Sequence, residues 1–234
     1  MAAAATADGG VPLPAGTVRR IVEYPAPVLR AKAAPITDFG SEATRQMAAD
    51  LLATVSHHGG GIGLAAPQIG VSVRAFVVRR PLFRNEYEFK AAMARAGRGG
   101  VEGLRQHIAA QAAAPAWTVC CNPAILAKSE ATELGLEACL SVPDAQLLVR
   151  RAARIDVTYQ TPTGAVVREQ LHGLPAIVFQ HELDHLDGVL CTDREVTVVR
   201  GSIDDAVAEA QEKWALAIMK YYGEQAPAPP ERMQ

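Results

Sequence analysis

Residues 180–188 run Gln180-His181-Glu182-Leu183-Asp184-His185-Leu186-Asp187-Gly188, an ionisable cluster closing an apolar stretch. The residues before it, Leu171-His172-Gly173-Leu174-Pro175-Ala176-Ile177-Val178-Phe179, are apolar enough for a buried helix, and Gly188 is a natural stop. Burial of an unpaired polar group costs about 2–7 kcal/mol. The stretch can therefore fold only where a cation or a set of partners meets its polar stripe. On a helix, positions i and i+4 share a face, so His181 and His185 can direct ring nitrogens at one cation. Glu182 follows the first of them and can reach a water on that cation.

Such a centre takes three protein ligands and keeps one position open. The chain offers three candidates for the third. Cys191 completes H-E-x-x-H-x-x-G-x-x-C, the metzincin spacing with Cys in place of the last His. Glu209 lies downstream on a helical stretch, and Cys139 lies upstream in Glu137-Ala138-Cys139-Leu140-Ser141. Spacing does not choose among them. A second run, Gly59-Gly60-Gly61-Ile62-Gly63-Leu64-Ala65-Ala66-Pro67-Gln68-Ile69-Gly70, lets the backbone approach a ligand closely. No Lys-Ser/Thr follows it, so it is not a phosphate-binding loop. It follows no clear strand, which argues against a dinucleotide fingerprint.

Together these runs resemble the peptide deformylase family. Gly61 to Gln68 is similar to its G-x-G-L-A-A-x-Q motif, Glu137 to Ser141 to its E-G-C-L-S motif, and Gln180 to Gly188 to its Q-H-E-x-D-H-L-x-G motif, in the same order. Weaker similarity runs from Tyr24-Pro25-Ala26-Pro27-Val28-Leu29-Arg30 through Cys121-Asn122-Pro123 to about Asp193. The resemblance implies hydrolysis of the N-formyl group of an N-terminal methionine, with release of formate. It implies Cys139, His181 and His185 as ligands of one divalent metal. Fe2+ is the expected ion, with Zn2+, Ni2+ or Co2+ as alternatives suited to the same donors. It implies Glu182 as the acid–base residue, and Gln68 with the Leu140 backbone N–H as donors to the carbonyl oxygen. Ile62 and Gly63 would hold the peptide backbone, and Ile62, Leu174, Ile177 and Val178 would line the methionine pocket; ordinary core is the competing reading of those apolar positions.

One position departs from the pattern: Ala138 stands where the family has Gly. If that site needs positive φ, the methyl costs about 1 kcal/mol. Glu137 is expected to orient its loop and the surroundings of Gln68, with Arg150 or Arg151 as its partner. Two other function classes stay open: an H-E-x-x-H metallopeptidase, and a non-catalytic binder of N-terminal peptides. Glu182 and Gln68 weigh against the binder, which needs neither a base nor an oxyanion donor.

A chain of 234 residues with 49% hydrophobic content can bury one substantial core. The formal charge of −2 gives no general attraction to nucleic acid. No apolar run is long enough to span a membrane. The four cysteines do not suggest a disulfide framework, and His57, His58, His107 and His172 read as ordinary surface or core residues. The expected partner is a nascent formyl-Met peptide, with transient ribosome contact, a monomeric state, and a bacterial cytoplasmic or organellar-matrix location.

The organisation expected is a disordered extension over 1–17, one catalytic domain over 18–223 with an insertion at 84–116, and a disordered tail over 224–234. Ser41 to His58 reads as an amphipathic helix with Met47, Leu51, Leu52 and Val55 on its stripe. Residues 74–79 and 118–121 read as strands, residues 154–161 and 165–170 as a hairpin, and Ser202 to Tyr222 as a further helix. The Glu137–Ser141 motif reads as a loop. The fold class is α+β: antiparallel strands around a central H-E-x-x-H helix, with an additional C-terminal helix.

Overall fold

The computed structural model describes residues 13–58, 61–79 and 117–194. Within them the chain forms α1 (Glu42–His57), β1 (Gly63–Ala65), β2 (Ala75–Arg79), β3 (Trp117–Lys128), β4 (Thr132–Cys139), β5 (Val142–Ala152), β6 (Arg154–Gln160), β7 (Val166–His172) and α2 (Gly173–Leu186). Short 3-10 turns cover Pro27–Arg30, Ala66–Ile69 and Cys191–Asp193. Ser41 caps α1, its hydroxyl accepting from Thr44 N at 3.2 Å. The stripe Met47, Leu51, Leu52 and Val55 is buried, as its spacing predicts.

Every strand pairing is antiparallel, in a five-stranded sheet of order β1-β2-β3-β6-β7 and a separate β4–β5 hairpin. Both faces of the sheet centre are covered. On β2 and β3, Phe76, Val78 and Cys120 join Leu174, Val178 and Phe179 of α2 in one core. Their neighbours Ala75, Val77, Val119 and Cys121 join the α1 stripe in a second core. This is the strand period of two with a helix on each side. It explains why the adjacent Cys120 and Cys121 are both fully buried, one on each face. Phe76 and Phe179 meet edge-on with ring centroids 5.0 Å apart.

The α+β reading stands, with the H-E-x-x-H helix at the centre. The Ser202–Tyr222 helix, Glu209, the 84–116 segment and the tail lie outside the described residues. Residues 1–12 of the stretch expected to be disordered also lie outside them. Residues 13–17 pack against α1: Leu13 is buried, Thr17 N donates to Asp50 Oδ1 at 2.8 Å, and Gln46 Nε2 donates to Ala15 O at 3.0 Å.

The β4–β5 hairpin corrects the loop reading of Glu137–Ser141. It covers the side of α2 turned away from the sheet. Gly135 lies against Ile177, where a Cβ would overlap the isoleucine side chain. The Gln180 side chain bonds both backbone groups of Ala152, accepting from N at 3.2 Å and donating to O at 3.0 Å. The central helix thus lies between sheet and hairpin. It ends at Gly188, whose φ of +73° and close approach to the Arg30 backbone leave no room for a side chain.

Candidate active site and metal centre

One stripe of α2 carries Ile177, His181, Asp184 and His185 toward the hairpin, and β4 answers with Glu137 and Cys139. The ligand atoms of Cys139, His181 and His185 lie within 4.8 Å of one another. Cys139 Sγ is 3.3 Å from His185 Nε2. His181 Nδ1 is held by Glu137 Oε2 at 2.8 Å, which leaves Nε2 as its ligand atom. The donor set is one thiol and two imidazoles, all buried, and two further buried atoms, Glu182 Oε2 and His185 Nδ1, have no hydrogen-bond partner among the described residues. A divalent ion of the iron, cobalt, nickel or zinc type fits these donors. Cys191, the candidate by metzincin spacing, is not among the three.

Glu137 is fixed from two directions. Arg151 donates to it through Nε at 2.7 Å and Nη2 at 2.9 Å, and the two side chains are each 4% exposed. Of the two arginines expected as partners, Arg151 is the one; Arg150 bonds Thr132 at the exposed side of the hairpin. The expectation that Glu137 serves the surroundings of Gln68 is replaced by this contact with His181. The cause is the strand: residue 137 turns its side chain toward α2. Burial opposes the Glu137 charge, but the bonds from Arg151 and His181 outweigh it and hold the carboxyl down at about 2. In the same way burial opposes an imidazolium at His181, and the Glu137 bond prevails, raising it to about 9. Arg151 also bonds Asp184, which Arg194 grips from outside. His185 has no carboxylate bonded to its ring among the described residues, and burial, helped by the His181 charge and only partly offset by Glu137, pushes it down to about 3.

Glu182 sits differently. It is buried, and burial raises its carboxyl to about 7. Its side chain lies over Gly63, where a Cβ would overlap Oε1. The second glycine of the G-x-G run is thus the floor on which the carboxylate rests. The run itself is not a plain turn: Gly63–Ala65 pairs with β2 at the sheet edge and leads into the 3-10 turn that presents Gln68. Gln68 is 3% exposed. Its Oε1 accepts from Ala65 N at 2.8 Å, so Nε2 faces the centre, donating to Ser141 Oγ at 3.2 Å and lying 3.6 Å from Cys139 Sγ. Leu140 is partly buried in the turn between β4 and β5.

The apolar positions divide. Leu174 and Val178 belong to the core beneath the sheet, with Ile62 packed against it. Ile177 is buried facing Gly135 on the hairpin side. Ala138 is exposed, and Asn122 is the one non-glycine with positive φ among the described residues. Position 138 therefore needs no glycine for its backbone. Sequence reasoning missed Ser141 as a partner of Gln68 and the Arg151–Asp184–Arg194 chain. The Asp within the H-E-x-x-H helix was the available signal, since a buried aspartate needs a cation.

A buried carboxylate with one oxygen unpartnered among the described residues, beside a thiol and two imidazoles that converge on one point, suits hydrolysis by a metal-activated water; the residues define a metal-dependent hydrolase. The polypeptide deformylase family model matches residues 18–200. A peptide deformylase of Thermotoga neapolitana is 37% identical over 175 residues, covering 75% of this chain and 85% of that protein. The crystal structure of peptide deformylase from Thermotoga maritima aligns with a TM-score of 0.58 at 35% identity, over 76% of this chain and 97% of that one. A Met-Ala-Ser-bound class I type b peptide deformylase from Acinetobacter baumannii aligns with a TM-score of 0.61 at 31% identity, over 76% and 99%. The chain belongs to the polypeptide deformylase family, metal-dependent hydrolases that remove the N-formyl group from nascent peptides. No helix among the described residues is long and apolar enough to cross a membrane.

Proposed function

We propose that this chain deformylates the N-terminal formyl-methionine of new polypeptides, using Cys139, His181 and His185 to hold one Fe2+, with Zn2+, Ni2+ or Co2+ able to replace it. The carrying observation is the cluster itself: three ligand atoms within 4.8 Å, and a buried glutamate beside them with one oxygen unpartnered. When bound, such an ion supplies the acidity that brings a water into the neutral range.

The protein supplies the rest. Glu182 takes a proton at its carboxylate and returns it to the leaving amine. Burial holds that carboxyl at about 7, close to where a residue working in both directions is most effective. Gln68 Nε2 and the Leu140 backbone N–H donate to the formyl oxygen as it gains charge. Gln68 is preorganised for this, because Ala65 N and Ser141 already fix its amide. β1 is the edge strand of the described sheet, so an extended peptide can add along Ile62 and Gly63. Ile62, Leu174, Ile177 and Val178 are the residues we assign to the methionine side chain. The bound Met-Ala-Ser of the Acinetobacter structure supports a peptide as ligand.

The same reading takes 18–223 as one catalytic domain, with residues 13–17 of the N-terminal stretch packed onto its α1, an insertion at 84–116 and a tail over 224–234. It also takes the protein as a monomer of bacterial cytoplasm or organellar matrix that meets the ribosome transiently. The decisive experiment is formate release from formyl-Met-Ala-Ser, with protein reconstituted anaerobically with Fe(II) beside the Glu182→Ala variant. Formate from the wild type and none from the variant is expected. No formate from a fully loaded wild type would overturn the reading.

A further inference from the structure

We propose that Cys139 and Cys191 are a modification site: under hydroperoxide they form an intramolecular disulfide, which withdraws the sulfur donor from the metal centre. All four cysteines are free and buried, but only these two share a cluster, with Val149 between the hairpin and the turn that follows α2. Cys120 and Cys121 are on β3 and belong to the two separate cores. The turn that carries Cys191 packs against the ends of β4 and β5, so that the Cys139 and Cys191 side chains lie together in one buried cluster. Cys191 opens the 3-10 turn Cys191–Asp193. That turn is pinned where it stands: Leu190 N donates to Asp193 Oδ2 at 2.8 Å, and the Arg30 guanidinium grips the same carboxylate.

Both cysteines stand at element ends rather than inside a ladder. Cys139 closes β4 at a register shift, where it pairs with Val142. Closing two sulfurs to about 2.05 Å there requires side-chain rotation and a small adjustment of two turns. Access sets the order of events. Cys139 keeps 7% of its surface and Cys191 only 1%. Hydroperoxide oxidises the Cys139 thiol to the sulfenic acid, its O–O bond breaking with release of water or alcohol. The Cys191 sulfur then attacks that sulfur, the S–O bond breaks, and the hydroxyl leaves as a second water with the Cys191 proton. Two thiols are oxidised by two electrons and one hydroperoxide is reduced. The disulfide sulfur is no longer a thiolate, so the centre keeps only its two imidazoles. The consequence for the metal rests on the ligand assignment above; the disulfide does not.

The test uses the full chain, zinc-loaded and reduced, treated with hydrogen peroxide. Three quantities are read together: intact mass, peptide mapping of linked cysteines, and zinc released to a chromophoric chelator. The expected result is a mass loss of about 2 Da, a Cys139–Cys191 link, zinc release in step with it, and recovery of both after dithiothreitol and fresh zinc. Cys191→Ser and Cys191→Ala, with no resolving thiol, should instead be oxidised further at Cys139 to the sulfinic or sulfonic acid, which dithiothreitol does not reduce, and fail to regain zinc. A Cys120–Cys121 link, no link, or equal recovery in the Cys191 variants would overturn the proposal. Reduced Cys139→Ser separates the two readings: if it still binds zinc as the wild type does, the ligand assignment fails while the mapped disulfide stands.

Discussion

Replacing Arg151 by Met tests the electrostatics that hold the site together. Methionine keeps the length of the stem and removes the guanidinium. Glu137 then faces α2 with His181 alone, and Asp184 keeps only Arg194. Two independent routes give the size of the effect. The Glu137 carboxyl falls from 4.5 to about 2 in the folded protein, and a shift of that extent corresponds to about 3 kcal/mol. Removing one partner of a buried pair costs about 3–5 kcal/mol. Solvent screening does not reduce either figure, since both side chains are 4% exposed. Arg151→Met should therefore lower the unfolding free energy of the metal-free protein at pH 7 by about 3–5 kcal/mol, and its Tm by roughly 6–20 °C.

The pH dependence makes the prediction specific. A depressed carboxyl stabilises fully above its unfolded value of 4.5 and loses that contribution as pH falls through about 2. The gap between wild type and variant should be widest near neutrality and close in acid. Urea titrations across that range read it directly. Adding Glu137→Gln to Arg151→Met should recover part of the loss, because the stranded charge is gone. A gap below about 1 kcal/mol at pH 7, or one that widens on acidification, would refute the reasoning.

Three further outcomes are expected. Glu182→Gln should lower kcat for formate release by about 10²–10⁴ while metal content stays unchanged, and loss of metal with the rate would assign it a structural role instead. Gly63→Ala should displace the Glu182 carboxylate and reduce kcat by roughly 10–100-fold with metal retained; an unchanged rate would show that the overlap at Gly63 is relieved at no cost. His181, raised to about 9, is an imidazolium at pH 7 in the metal-free protein, so zinc uptake should expel its proton along with that of the Cys139 thiol, and the His181 part of the rise in apparent affinity should end near pH 9. In Glu137→Gln, calorimetry in buffers of different ionisation enthalpy should show fewer protons released at pH 7, and equal release would remove Glu137 as the cause.

The residues of the centre were legible because each motif states its chemistry locally. H-E-x-x-H sets both imidazoles by helical period alone, and α1 declares itself through Ser41 and a stripe at three- and four-residue spacing. The β4–β5 hairpin hid for physical reasons. Pro143 and Asp144 are poor strand formers, and the turn at Leu140-Ser141 lacks the Asn-Gly chemistry that marks a tight hairpin. Its register slips between Ala138 and Cys139, which breaks the alternation a reader would look for. β1 hid inside the glycine run, since three residues at a sheet edge give no period to count. The spacing of Cys139 and Cys191 from the helix could not decide the third ligand, because the hairpin brings residue 139 to His185 across a long stretch of chain.

Two glutamates reach this centre, and their surroundings divide the work between them. Glu137 has a guanidinium on both oxygens and an imidazole besides, and these hold its carboxyl down at about 2. That charge does the same thing before and after metal uptake: it keeps the His181 Nδ1 proton and so fixes Nε2 toward the ion. In the metal-free protein the imidazolium pairs with Glu137, so on the proposed assignment His181 would already be oriented to hold a cation. Glu182 is given none of this. It rests on the Gly63 backbone with no guanidinium beside it among the described residues, and burial, opposed by the His181 charge, raises its carboxyl to about 7. An arginine at Glu182 would make the fold more stable, as Arg151 does at Glu137. It would also pin the carboxylate in its charged form and remove the proton-carrying role proposed for Glu182.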